Sequence, residues 1–145
     1  MISKTKPEGF KAVFEATGCY IIYDDKVLFL KRAETDDDCQ DMWGTPGGKI
    51  ENETPNENIL REIEEETGIQ IDKKDKNLQY EMKTFVIYPK FQFIYHLFKY
   101  KLNVIPKVTL SEEHSEFRWL EPKDALKLNL VPDEDWCIKE VFSIK

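Results

Sequence analysis

Apolar and polar positions alternate along this chain with a short period, then with a longer one, and the change marks its elements. Residues 14–23, FEATGCYIIY, are rich in β-branched and aromatic side chains, which predicts an extended strand. Asp24-Asp25 follows as a tight turn, and residues 26–31 read as the hairpin partner. Residues 33–48 turn polar and irregular and close on Trp-Gly-Thr-Pro-Gly-Gly, which is loop chemistry. A helix comes next. Thr54 is a good N-cap, Pro55 suits the first helical position, Glu57 completes a capping box, and Gly68 supplies the stop. Two strands are expected over residues 78–88 and 91–101 with Pro89-Lys90 as their turn, and a short one over 117–120. A short helix after Pro122 and a last one over 133–142 complete the chain. Strands around a central helix, with a second helix at the end, predict an α/β (α+β) fold with a mixed sheet covered on both faces.

On a wheel at about 100° per residue, Ile59, Leu60 and Ile63 share the face a core would take. Glu62, Glu65 and Glu66 fall together on the adjacent face, while Glu57, Arg61 and Glu64 point to the solvent side. A solvated acidic face is the bland reading of such a run. Energetics argue against it. Like charges three and four residues apart destabilise a helix by about 0.2–0.5 kcal/mol per pair, and acids near the C-terminal end oppose the helix dipole. A bound cation reverses both penalties, and clustered carboxylate oxygens suit Mg²⁺, with Mn²⁺ as the alternative. Gly47 and Gly48, just upstream, let the backbone come close to a ligand or turn a carbonyl toward a metal.

Composition narrows the partners. The chain has 145 residues, the size of a single domain spanning 1–145. Its net charge of -7 steers it away from DNA and anionic membrane. No apolar run approaches the roughly 20 residues of a membrane span, and the N-terminus MISKTKPEG has no signal-peptide core. Cys19, Cys39 and Cys137 are odd in number and widely spaced, as expected of free thiols in the cytoplasm. With only His96 and His114 beside them, a Cys/His zinc site is not expected.

The segment Gly47 to Ile69 resembles the Nudix box, Gly-x5-Glu-x7-Arg-Glu-U-x-Glu-Glu-x-Gly-U, where U is a bulky aliphatic residue. Gly47, Glu53, Arg61, Glu62, Ile63, Glu65, Glu66, Gly68 and Ile69 satisfy all nine specified positions. The resemblance implies a Nudix-like α/β/α sandwich in which Glu62, Glu65 and Glu66 are metal ligands. A backbone carbonyl at the Gly47-Gly48 turn joins them, and Arg61 pairs with Glu53 to hold the loop against the helix. Family members often read Gly-Gly-Lys-Ile-Glu-x-Gly-Glu, whereas this chain is one residue shorter there. Either Gly47 or Gly48 therefore presents the carbonyl.

Outside the box, some relatives use a Glu ahead of a late strand as a further ligand or general base. Glu116 matches best, with Glu112 and Glu113 as rivals, and Glu65 is the other candidate base. Lys31 and Arg32 resemble the basic pair that meets substrate phosphates, and Asp133, Glu134 and Trp136 resemble base-recognition positions of the MutT-type branch. The implied activity is Mg²⁺-dependent hydrolysis of a phosphoanhydride in a nucleoside diphosphate derivative, with a (d)NTP giving NMP and pyrophosphate as the leading case. ADP-ribose, dinucleoside polyphosphates and RNA 5′ ends use the same box, and a nucleotide-binding Nudix module without catalysis is the non-enzymatic alternative. The expected partner is a small nucleotide, and the expected assembly a monomer or homodimer.

Overall fold

The computed structural model describes residues 1–36 and 38–145; Asp37, within the predicted loop, lies outside the described residues. The long strands form where alternation is clearest. β2 (Phe14–Tyr23), β6 (Leu78–Ile87) and β7 (Gln92–Leu102) make the centre of a mixed sheet, with β2 and β7 parallel and β6 antiparallel to β7. β1 (Ile2–Ser3) extends the β6 edge. β3 (Lys26–Arg32) folds back from β2 through Asp24 and Asp25, both at positive φ as a tight hairpin turn demands. β8 (His114–Leu120) then pairs antiparallel with β3.

Three details depart from the pattern-based expectation. The predicted loop contains two short strands, β4 (Trp43–Gly44) and β5 (Gly47–Lys49). Two-residue and three-residue strands carry no readable period, so composition alone makes them look irregular. Gly47 and Gly48 are therefore ladder residues paired with Gly18 and Thr17, not a turn. The late strand begins at His114 rather than at residue 117, because exposed Ser115 and half-buried Glu116 make its first positions polar and hide the alternation.

α1 (Pro55–Thr67) carries the capping box in full. Thr54 Oγ1 accepts from the Glu57 amide at 3.1 Å, and the Glu57 carboxylate accepts from the Thr54 amide at 3.0 Å. Gly68 ends the helix at φ 77°. Ile59 and Ile63 bury against Cys19, Ile21, Leu28, Leu30 and Phe98 on one face of the sheet. On the other face, α3 (Glu134–Val141), preceded by α2 (Pro122–Ala125), packs Cys137, Ile138 and Val141 against Tyr20, Val27, Phe29 and Leu97. Both faces are covered, as expected of an α/β/α sandwich.

Leu60, predicted for the core face, is only half-buried, and a polar residue takes the deep position beside Ile59. Asn58 is fully buried. Its amide nitrogen donates to the Lys49 carbonyl at 2.7 Å and to Glu53 Oε1 at 2.8 Å, and its oxygen accepts from the Thr17 hydroxyl. One side chain thus ties α1 to β2, to β5 and to the loop between β5 and the helix. Replacing it by an apolar residue strands a buried carbonyl and hydroxyl, each costing about 1–3 kcal/mol. Asn58→Leu is therefore expected to destabilise the fold by about 2 kcal/mol or more in urea denaturation, despite its greater hydrophobicity. Wild-type stability in that variant would show that the clamp is not needed.

Candidate active site

β5 lies over α1 because Gly48 has no side chain, and close against β2 because Gly47 has none. A Cβ at Gly48 would come within 2.6 Å of the Glu62 carboxylate, and one at Gly47 would overlap the Thr17 carbonyl oxygen. The bare backbone therefore packs directly on the acidic face of the helix. The Gly47 amide donates to Glu66 Oε1 at 2.8 Å. Burial raises the Glu66 carboxyl to about 8, with the nearby charges of Glu62 and Glu113 acting in the same direction. Burial also raises Glu62, against the pull of Arg61.

The three box carboxylates do not share one environment. Glu62 and Glu66 turn inward, whereas Glu65 is exposed and accepts from Arg61 at 3.1 Å. Arg61 is the hub of this flank. It binds both carboxylate oxygens of Glu53, at 2.7 and 3.1 Å, and approaches Glu62 at 3.2 Å. Those bonds, with the one from Asn58, hold the Glu53 carboxyl down to about 2. The pair fastens the loop before α1 to the helix, where Gly68 closes the far end.

Glu113, in the turn before β8, and His114, its first residue, arrive beside Glu66, with one potential ligand atom from each of the three lying within 4.8 Å of the others. Glu116 is elsewhere: it pairs with Lys31 at 3.8 Å and with Arg118 at 3.2 Å along the exposed side of β8. Two further candidates also stand away from the cleft lining, Lys31 through that pairing and Trp136 by packing on the α3 core cluster.

On the other side of β5 opens a cleft of about 840 Å³. Gly47, Gly48 and Thr17 form its inner edge, Arg32, Asp133 and Glu134 line it, and Phe14, Tyr88, Phe91, Phe93 and Tyr95 give it an aromatic wall. Phe14 and Phe93 stack at 4.8 Å with an interplanar angle of 12°. The volume falls in the ordinary range for a small-molecule site. Asn58, His114 and this wall are what the sequence reading missed. The aromatic density of YPKFQFIY was visible from residue 88 to 95, but strand patterning alone does not show that several of its rings share a cleft.

With this geometry the comparisons agree. The family model for the NUDIX domain matches residues 14–141. The chain belongs to the Nudix family. It is a Nudix hydrolase, an enzyme acting on pyrophosphate bonds, and the family works with divalent metal. The MutT protein of Methanosarcina mazei Go1 is 25% identical over 92% of this chain and 94% of that one, with a TM-score of 0.75. A C. elegans Ap4A hydrolase in a binary complex shares the fold at 23% identity, covering 90% and 96% of the two chains with a TM-score of 0.70. So does the Nudix domain of Shewanella oneidensis NrtR complexed with ADP ribose, at 18% identity, 96% and 92% coverage and a TM-score of 0.75. No curated protein matches the chain. Among the described residues of this Nudix hydrolase, no helix is long and apolar enough to cross a membrane.

Glu134 makes the cleft sensitive to pH. It is buried, accepts from the Tyr20 hydroxyl, and lies 3.5 Å from the Thr45 hydroxyl. Burial lifts its carboxyl from 4.5 to about 7, with Asp135 adding and Arg32 opposing. A carboxyl whose folded value exceeds its unfolded value holds its proton better when folded. Its contribution is complete below pH about 4.5 and is lost as pH rises through about 7. Wild type is thus expected to lose stability relative to Glu134→Gln across that window, by at most about 1.4 kcal/mol per pH unit. Parallel stability curves for the two proteins would refute the assignment.

Proposed function

We propose that the chain hydrolyses a phosphoanhydride of a nucleoside diphosphate derivative with Mg²⁺, a (d)NTP giving NMP and pyrophosphate being the leading case. One observation carries this reading: inward-turned Glu62 and Glu66 pack on the glycine strand that also lines a cleft with an aromatic wall. Phosphates belong at the first end and a base at the second.

The residues fit a hard divalent ion. Desolvation raises Glu62 and Glu66, and each adds to the other's penalty or receives it from neighbouring carboxylates, a situation that positive charge relieves. Glu62 and Glu66 would hold the ion, with a carbonyl of Gly47 or Gly48 as a further oxygen. When bound, it supplies charge neutralisation of the phosphates and a more acidic water. The chain's own groups do the rest. Arg32 lines the cleft and offers a cation to the phosphates, while its partner Asp36, at 3.2 Å, fixes the guanidinium. Glu65 stands on the open flank, where Arg61 orients it, and is the carboxylate we assign to take the proton of the attacking water. The aromatic wall stacks the base, and Asp133 and Glu134 line the same cleft as polar groups for its edge.

A phosphate and pyrophosphate release screen with Mg²⁺ tests the reading across canonical and oxidised (d)NTPs, ADP-ribose and dinucleoside polyphosphates. Turnover of at least one group is expected, with Glu65→Gln slower by about 10²–10⁴-fold. Mg²⁺-dependent stabilisation by a nucleotide without product would instead identify a binding module. Phe91, on the cleft rim and 38% exposed, separates binding from chemistry. Phe91→Ala should weaken binding by about 1–3 kcal/mol, read as a rise in KM with little change in kcat. An unchanged KM would place the base elsewhere.

A further inference from the structure

Beside the box carboxylates lies a polar group that the fold leaves unused. The His114 side chain is 3% exposed, and its Nδ1 has no hydrogen-bond partner among the described residues. Buried polar atoms are nearly always satisfied, and leaving one unpaired costs about 1–3 kcal/mol. Nδ1 faces Glu66 Oε2 at 3.8 Å. That is too long for a hydrogen bond.

The distance suits a shared ion. Donor atoms about 2.1 Å from one octahedral cation lie roughly 3.0 Å apart when adjacent and roughly 4.2 Å apart when opposite. The separation of 3.8 Å falls between these limits. Glu113 brings a third donor within 4.8 Å, and its side chain is exposed and can rotate inward. Here the unpaired nitrogen, rather than the acidic cluster alone, points to a ligand.

We infer that His114, through Nδ1, joins Glu66 and Glu113 in ligating a divalent cation, so that one metal position has a nitrogen donor instead of oxygen alone. This rests on the metal-dependent reading above. An imidazole nitrogen offers a metal ion its lone pair. Nitrogen donors favour Mn²⁺, Co²⁺ and Zn²⁺ over Mg²⁺. The ion at this position is therefore held more tightly when it is Mn²⁺ than an all-carboxylate site would allow.

Mn²⁺ itself is the probe. Electron paramagnetic resonance titration gives its Kd for wild type and His114→Gln, and electron spin echo modulation of the bound ion reports nitrogen in its first shell. The chain has two histidines, His96 and His114, so ¹⁵N-histidine labelling identifies the source together with the variant. We expect ¹⁴N modulation in the wild-type complex, its replacement by a ¹⁵N pattern on labelling, and its absence from His114→Gln. Mn²⁺ affinity should fall at least about tenfold in the variant, the loss that even an outer-shell partner of a ligand can cause. Mg²⁺ affinity, measured by competition, should fall much less. Bound Mn²⁺ without a nitrogen signal in wild type would overturn the inference and leave the metal-dependent reading intact. Failure to bind Mn²⁺, together with silence in the release screen, would remove both.

Discussion

The structure turns on the contact between a strand that opens with two glycines and the acidic face of a helix. β5 can lie on α1 only because Gly48 has no Cβ, and this contact is what desolvates Glu62 and Glu66. The same carboxylates in water would be ordinary surface charges. Pressed under a backbone, they become groups whose ionised state the fold disfavours, which is a common way to prepare a site for a cation. The arrangement is unfavourable by itself. It persists because Ile59 and Ile63 anchor α1 in the core, Asn58 joins the helix to two strands, and Arg61 holds the loop between them.

The sheet makes room for this contact by parting. β2 pairs with β3 only at Ile22 and Tyr23, near the hairpin, and with β5 at Ala16, Thr17 and Gly18. β3 turns away to join β4 and β8. One edge of β2 therefore serves two neighbours in succession. At Gly18 the space a side chain would fill is taken by the Tyr95 ring, so the aromatic wall of the cleft is packed against the strand that carries β5. The glycine strand and the aromatic wall are thus coupled through β2. The α3 face completes the enclosure, since the Tyr88 hydroxyl donates to the Pro132 carbonyl at 3.3 Å and links the β6–β7 turn to the segment entering that helix.

What was legible in the sequence is what local periodicity and fixed spacing encode. The capping box, the left-handed stop at Gly68 and the long strands follow from local chemistry, and the structure repeats them within a residue or two. The box placed its glutamates on one helix, but a wheel assigns directions and not neighbours. It grouped Glu65 with Glu62 and Glu66, whereas Arg61 draws Glu65 to the exposed flank. Asn58 was illegible because a polar residue on a core face looks like a break in the pattern unless its three partners are known. His114 was illegible for the opposite reason: lying 48 positions from Glu66 in the sequence, it meets that carboxylate only through the pairing of β8 with β3.

Charge explains why such a site suits an acidic chain. With a net charge of -7, the protein as a whole repels the anions that a phosphate site must admit. Its local answer is unevenly distributed. Arg32, Lys49 and Lys90 line the cleft, and Lys49 sits 4.4 Å from the centre of the Phe14 ring, so positive side chains border the aromatic wall. The glycine edge adds no such side chain to the lining; behind it, across β5, lie Glu62 and Glu66. On the function proposed above, an anion drawn past the cations at the wall reaches the glycine strand that has these carboxylates behind it. That juxtaposition is repulsive for the protein and its ligand alone, and attractive once a divalent ion lies between them. The cleft is thus built to discriminate: an apolar molecule gains only the wall, and a free anion gains only the rim. On the function proposed above, a nucleotide accompanied by its cation gains both.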